Sequence, residues 1–516
     1  MKHTSRCNPS RRTFLRTQAA AAAALTLGRR SRGQASPKRK PNLLFLWTDE
    51  QRPDTMAAYG NRVIQAPNLN RLAAESIVFR NAYVSQPVCT PARSTVMTGL
   101  WPHTNGCTQN NIALPFDVPT FPELVADSDY ATGYFGKWHL GDEVFAQHGF
   151  REWRSMEDGY RRFYREGRDM DKKSDYWHFL CEQGYEPPDG RGDFSRNFAA
   201  SRPFEHTKPR FLELEACEFL RRHRDEPFML YVNFLEPHMP FTGPFDDLHL
   251  DDVYVPENFD DPLDETEPEA YRRRRAYYFE NGWGDLPLKT EDHWKRLISN
   301  YWGLVHSVDR AVGGILQTLE DLGLMEDTII VFTSDHGDMM GSHRLLTKTF
   351  SYEESERVPW LMRIPGVRGQ AISDPVSHID LVPTLLDLMG AENGAELPGK
   401  SLRPLFEEGR NPGPVIVEWN PAGTIDRSGR NPGGTIRLPD LPEGNSFRTI
   451  VTPDRWKLTL HTLERSQLYN LNDDPGETTN LFFRPEHRER IRAMTAALQA
   501  WQETVGDTLP IEPIWT

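Results

Sequence analysis

Four places in the chain set acids, imidazoles or an amine directly after a short apolar run. Asp49-Glu50 follow residues 42–48, Lys137-Trp138-His139 follow 131–136, Glu236-Pro237-His238 follow 228–234, and Asp335-His336 follow 329–334. Ligands of open α/β sheets bind beyond the carboxyl ends of the strands. If these runs are strands, the side chains converge on one place. Two acidic strand ends, with one further acid and one His, would gather oxygen and nitrogen ligands around a divalent cation. Mostly hard oxygen donors favour Ca²⁺ or Mg²⁺ over Zn²⁺. Taken singly, each residue has an ordinary explanation. An Asp after a strand is a turn residue or a helix cap, Lys137 a solvated strand-end charge, His139 a helix cap, and His238 a turn residue fixed by its neighbouring prolines. The argument rests on four reactive strand ends occurring in one chain.

A fifth element of chemistry is Cys89, in Gln86-Pro87-Val88-Cys89-Thr90-Pro91-Ala92-Arg93-Ser94. Pro91 marks a helix start, which places Cys89 at or just before a helix N-terminus, where backbone N–H groups favour an anion or nucleophile. A lone Cys is otherwise a small buried hydrophobe.

The elements that must position these groups are legible in outline. Short buried runs separated by helical stretches indicate a mostly parallel α/β sheet. Helical spacing is present at 69–75, 297–322 and 379–389. Segment 151–215, rich in Arg, Tyr, Trp and Asp, lacks periodicity and is expected to be an excursion beside the site. Segment 240–292 is expected to be loop with short helices. Pro and Gly cluster from 411 to 444. Beyond them 447–452, 456–461 and 467–471 read as short antiparallel strands, and 486–505 as a final helix. The expected organisation is a catalytic domain over 36–410 and a smaller α+β subdomain over 411–516.

Composition narrows the classes. The chain of 516 residues is 38% apolar and 26% charged, with 13 Trp and 27 Phe. That excludes a disordered or collagen-like chain. A net charge of -14 argues against a nucleic-acid binder, and no apolar run reaches the length of a membrane span. Residues 1–35 carry eight Lys and Arg and no acid. They hold a twin-arginine pattern, Ser10-Arg11-Arg12-Thr13-Phe14-Leu15-Arg16, then an apolar run at 19–27 and a small-x-small site, Gly33-Gln34-Ala35. This order reads as a twin-arginine export signal, with the mature chain periplasmic or extracellular. Without it, 52 basic residues face 74 acidic ones, a net charge near -22.

Cys89-Thr90-Pro91-Ala92-Arg93 resembles the Cys-x-Pro-x-Arg signature of the type I sulfatases. Gly136-Lys137-Trp138-His139 matches that family's second motif. Leu46-Trp47-Thr48-Asp49-Glu50-Gln51, Glu236-Pro237-His238, Thr333-Ser334-Asp335-His336-Gly337, Leu346-Thr347-Lys348-Thr349 and the tail Leu468 to Glu477 are similar as well. The resemblance runs from about residue 41 to 505. It implies an alkaline-phosphatase-like fold, with a mostly parallel sheet sandwiched by helices. It also implies that a maturation enzyme, either a formylglycine-generating or an anaerobic sulfatase-maturating one, oxidises Cys89 to Cα-formylglycine. In the family mechanism one hydroxyl of the aldehyde hydrate attacks sulfur, leaving a covalent sulfate. The other then loses its proton and sulfate is expelled. By the same resemblance Asp49, Glu50, Asp335, His336 and the oxidised Cys89 hold one Ca²⁺, with Mg²⁺ or Mn²⁺ as substitutes. Arg93 and Lys137 hold the hydrate, His139 is the base, His238 the acid for the leaving alcohol, and Lys348 grips sulfate. Many relatives have Asp or Gln at the position of Glu50.

The function expected is release of inorganic sulfate from a sulfated carbohydrate or other alcohol sulfate. Its rivals are a phosphonate monoester or phosphodiester hydrolase of the same superfamily and an inactive glycan-binding relative. His103, His306 and His343 lack motif support, although His343 lies close in sequence to both Asp335 and Lys348. Gln109-Asn110-Asn111 could contact sugar hydroxyls or be a plain polar loop. Cys7 leaves with the signal. Cys107, Cys181 and Cys217 then allow at most one disulfide.

Overall fold

The computed structural model describes residues 40–188, 192–391, 396–420 and 445–513. The expected signal at 1–35, with Cys7, and residues 421–444 of the Pro/Gly cluster lie outside them. Residues from Lys40 onward form one compact unit.

The main sheet is built on β1 (Asn42–Asp49), whose eight residues are all buried. Alternation along the strand sends Leu43, Phe45 and Trp47 into one core and Leu44 and Leu46 into the other. Burial on both faces is what a central parallel strand requires. The remaining strands are β2 (Ile77–Tyr83), β3 (Ala131–Gly136), β4 (Glu152–Arg154), β5 (Phe228–Pro237), β6 (Thr328–Ser334), β7 (Arg357–Arg363) and β8 (Gln370–Ser377). Their order is β4-β3-β5-β1-β6-β7-β2-β8. Only β7 runs antiparallel to its neighbours. Helices Pro67–Ala74, Lys208–Arg222 and Glu291–Asp321 cover one face, and Cys89–Thr98 and Leu381–Met389 the other.

Parallel pairing in register brings the strand ends level. Thr48 lies opposite Ser334, Gly136 opposite Asn233 and Asp49 opposite Pro237. Gly136 is needed there. Its φ is +115°, and a Cβ at that position would stand 1.9 Å from the carbonyl oxygen of Asn233. Only glycine lets β3 make this exit and send Lys137 inward.

A second, antiparallel sheet has the order β12-β11-β10-β9, formed by β9 (Val415–Trp419), β10 (Phe447–Val451), β11 (Trp456–His461) and β12 (Gln467–Asn470). Ile450, Leu458 and Leu460 pack against Ile491, Met494 and Leu498 of helix Arg488–Val505.

The structure departs from the sequence reading in several places. Segment 240–292 contains a full 13-residue helix, Glu269–Asn281. Its run of four arginines hides the apolar spacing. Strands β2, β7, β8 and β9 were not anticipated. β2 carries an exposed Arg80 beside a register shift, β8 is an exposed edge, and β9 sits inside the Pro/Gly cluster. The excursion at 151–215 contributes β4 to the sheet edge, then helices. Cys89, Cys107, Cys181 and Cys217 are all free thiols. No helix among the described residues is long and apolar enough to cross a membrane.

Candidate active site

The strand ends do converge. Asp49 and Glu50 from β1, Lys137 and His139 after β3, His238 after β5, Asp335 and His336 after β6, and Cys89 from the facing helix are all buried. Cys89 opens the helix Cys89–Thr98, every residue of which is buried. Its Sγ lies 3.2 Å from Nε2 of His336 and 3.7 Å from Oδ1 of Asp49.

One turn along, the Arg93 guanidinium is fully engaged. It donates to Asp49 Oδ2 at 2.8 Å, Asp335 Oδ2 at 2.9 Å, the Lys137 carbonyl at 2.8 Å and Asn233 Oδ1 at 2.9 Å. Lys137 Nζ reaches the same Asp49 oxygen at 2.5 Å. Lys348 Nζ pairs with Glu50 Oε1 at 2.8 Å, and His238 Nε2 stands 3.6 Å from Glu50 Oε2.

Several backbone positions here adopt φ values that non-glycine residues avoid. Glu50 (φ 71°) is held by its amide donating to Asp335 Oδ1 at 3.1 Å and by the Tyr301 hydroxyl donating to its carbonyl at 2.6 Å. His139 (φ 57°) is held by Glu143, which accepts from the amides of both Trp138 and His139 at 2.8 Å. Thr347 and Thr349, either side of Lys348, also have positive φ. Tertiary bonds thus fix strained exits that aim side chains into the site.

Electrostatics follow from burial among mixed charges. Burial pushes the Asp49 carboxyl up, but Lys137, His238, Arg93 and His336 outweigh it and hold it well below the usual range. Burial lifts Glu50 to about 7 against the pull of Lys348. Burial lowers His336, yet Asp335 and Cys89 raise it to about 9. Burial and then Lys137 hold His139 well below an ordinary imidazole. Burial and then Lys348 do the same to His238.

Two overlapping groups have the geometry of a metal site: Asp49, Cys89, Asp335 and His336, and Asp49, Glu50 and His238, with ligand atoms within 4.8 Å of one another. Oε2 of Glu50 is buried without a hydrogen-bond partner. Together they hold three carboxylates, two imidazoles and the Cys89 thiol, and the three carboxylates, one with the orphaned Glu50 oxygen, fit a divalent cation that prefers hard donors.

Sequence reasoning missed the supports. Asn233, Glu143 and Tyr301 carry no motif signal, because their roles exist only once distant strands meet. Asn110 and Asn111 prove to be tied to the Cys89 helix. Asn110 Oδ1 accepts from the Thr90 amide at 3.0 Å, and Asn111 Oδ1 meets His139 Nε2 at 2.9 Å. His343 is structural. It pairs with Asp261 Oδ2 at 2.5 Å and stacks on Tyr352 at 4.1 Å. His103 pairs with Glu418 of the second sheet, and His306 bonds the Gln65 carbonyl.

The Sulfatase family model matches residues 41–391. This chain belongs to the sulfatase family. An N-acetylglucosamine-6-O-sulfatase of Bacteroides thetaiotaomicron is 29% identical over 95% of this chain and 91% of its own. A structure solved in complex with D-glucosamine-2-N,6-O-disulfate matches with a TM-score of 0.72 at 24% identity, over 92% of this chain and 99% of that one. The phosphonate monoester hydrolase of Silicibacter pomeroyi also gives a TM-score of 0.72, at 21% identity over 91% and 96%. At those identities the two structures share the alkaline-phosphatase-like fold with this sulfatase.

Proposed function

We propose that this sulfatase releases inorganic sulfate from a sulfated carbohydrate, with Cys89, oxidised to Cα-formylglycine by a formylglycine-generating or anaerobic maturating enzyme, as its nucleophile. The observation that carries this is the placement of Cys89 Sγ, 3.2 Å from His336 and 3.7 Å from Asp49, at the head of a buried helix between two lysine-bearing loops. The name of the 6-O-sulfatase relative supports a sulfated sugar as substrate.

Oxidised and hydrated, residue 89 supplies a hydroxyl for in-line attack on sulfur and a second whose deprotonation lets sulfate leave. Asp49, Glu50, Asp335, His336 and residue 89 would hold a divalent cation, Ca²⁺ by its donor set, which when bound polarises a sulfate oxygen. Arg93 fixes Asp49 and Asp335 and, with Lys137, sets positive charge beside the nucleophile. Lys348 turns from Glu50 to the sulfate oxygens, as preformed charge does for a developing anion. His139, neutral through burial and Lys137, accepts the proton of the second hydroxyl. His238, kept neutral by burial and Lys348 with its Nδ1 donating to the Met239 carbonyl, must first take up a proton at Nε2, which it then gives to the departing alcohol oxygen.

The fold shared with a phosphonate monoester hydrolase favours one second reading, hydrolysis of a phosphonate monoester or phosphodiester. Matched 4-nitrophenyl sulfate and bis(4-nitrophenyl) phosphate decide between them. Faster sulfate ester turnover is expected, and dominant diester turnover overturns the assignment. Mass spectrometry of the peptide spanning Cys89, from the native host, should find the aldehyde. An unmodified thiol there would leave only the inactive glycan-binding alternative.

The proposal extends to export through the twin-arginine translocon on residues 1–35. Replacing Arg11 and Arg12 by Lys should retain the protein in the cytoplasm, as read by fractionation.

A further inference from the structure

The helix Glu269–Asn281 presents two faces. Tyr271, Arg274 and Tyr278, at i, i+3 and i+7, turn into the protein. Tyr278 donates to the Leu346 carbonyl at 3.1 Å, and the Tyr271 hydroxyl meets Ser351 Oγ at 3.0 Å. This face braces the stretch that bears Lys348. Arg272, Arg275 and Phe279 lie on another face, which lines a cavity of about 390 Å³, within the size range of small-ligand pockets. Arg344, four residues before Lys348, borders the same cavity.

Three guanidinium groups around one space call for anions. A structural ion-pair network would supply carboxylates, but these arginines have few. Arg344 pairs with Asp260, itself 78% exposed. Arg275 donates to the Asp261 carbonyl, and no carboxylate among the described residues forms an ion pair with Arg272 or Arg275. The Asp261 carboxylate is taken by His343. Nε of Arg272 and Nε of Arg344 are buried without a hydrogen-bond partner. Burial and then the charge of Arg344 hold Arg275 below an ordinary guanidinium, outweighing the opposite pull of Asp261 and Asp260.

The remaining wall is apolar. Leu263, Leu288 and Trp294 are at most 3% exposed, and Phe279 stands 51% exposed on the lining. A bare inorganic anion has no use for such a wall. A ring with an anionic substituent uses both parts: guanidinium forks for the anion and aromatic and aliphatic surface for the ring face.

We propose that this cavity is a second binding site for a sulfated or carboxylated saccharide unit, distinct from the Cys89 centre. None of its lining residues belongs to the candidate catalytic or metal-ligating set, so the site stands whatever the chemistry at Cys89.

The test uses the full chain carrying Cys89→Ala, titrated calorimetrically with a monosulfated disaccharide, its desulfated counterpart and sodium sulfate. The sulfated disaccharide should bind at least ~10-fold tighter than either, about 1.4 kcal/mol, and more weakly as salt rises. It should also protect Arg272 and Arg275 from phenylglyoxal, read by peptide mass spectrometry, which needs no variant at the cavity. Adding R272A/R275A should remove the cavity's binding event and leave only that of the Cys89 centre. The same pair in the Cys89-bearing enzyme should leave 4-nitrophenyl sulfate turnover unchanged. Absence of protection, equal affinity for sodium sulfate or the desulfated sugar, or unchanged binding in R272A/R275A overturns the proposal.

Discussion

Oδ1 of Asn111 lies 2.9 Å from Nε2 of His139. An amide oxygen only accepts, so Nε2 carries the imidazole proton. Nδ1, buried without a partner, keeps its lone pair. The ring also rests on Tyr160, 4.6 Å between centroids, which fixes its plane. Asn111→Leu should therefore lower kcat for an aryl sulfate by about 10–100-fold with little change in KM. His139→Ala should cost more, on the order of 10²–10⁴-fold. Steady-state kinetics of both variants check this. A rise in KM with kcat intact would place Asn111 in substrate binding instead.

Arg93 offers a second prediction. With no exposed surface, it joins Asp49 and Asp335, two carboxylates from adjacent strands. Removing one partner of a buried pair leaves charge uncompensated, so Arg93→Leu should cost about 3–5 kcal/mol of stability. Arg93→Lys keeps the charge but not the fork, and should lose less stability while still losing activity. Urea midpoints of the three proteins decide. An unchanged midpoint for Arg93→Leu would mean that the carboxylates take up protons at no cost.

What the sequence made legible follows from what is local. Strands β1, β3, β5 and β6 announced themselves because each is buried on both faces and reads as an apolar run, and their polar ends named the site. β2, β7 and β8 were silent because edges and register shifts admit Arg80, Arg363 and Gln370 into strands. Cys89, Arg93 and Lys137 were found through their motifs. Asn233 and Glu143 were not, since an asparagine inside a strand and a glutamate in a loop gain meaning only through the 2.9 Å and 2.8 Å bonds that folding creates. The arginines of 272–275 lie in a segment expected to be loop with short helices, and only the helix phase shows two of them turning to a cavity.

The donor cluster predicts a response to chelation. Asp49, Glu50, Asp335 and His336 crowd negative charge and an imidazole into one buried space, so a bound cation should stabilise the fold. At a cation concentration 100 times Kd, the gain is about 2.7 kcal/mol. Treatment with EDTA should lower the melting temperature and activity together, and Ca²⁺ should restore both. Asp335→Asn should blunt the restoration. Equal melting curves with and without chelator would remove the metal from the assignment.

Glu157 makes the last prediction, with a definite pH sign. It is buried and accepts from Arg196 Nε and Lys208 Nζ, each at 2.8 Å. Burial pushes its carboxyl up, but Arg196 and Lys208 outweigh burial and hold it well below the usual range. A depressed folded value means that the contribution is complete above the unfolded pKa of about 4.3 and is lost as pH falls through the folded one. Glu157→Gln should therefore cost about 3–5 kcal/mol at pH 7, and the gap to the parent should narrow progressively below about pH 4. Arg196 also donates to the Tyr160 hydroxyl at 2.8 Å, and Tyr160 supports His139, so the variant should lose activity at neutral pH as well. Denaturation curves at neutral and acid pH give the answer. A gap that stays constant as pH falls would show that Glu157 is held by packing rather than by its charge.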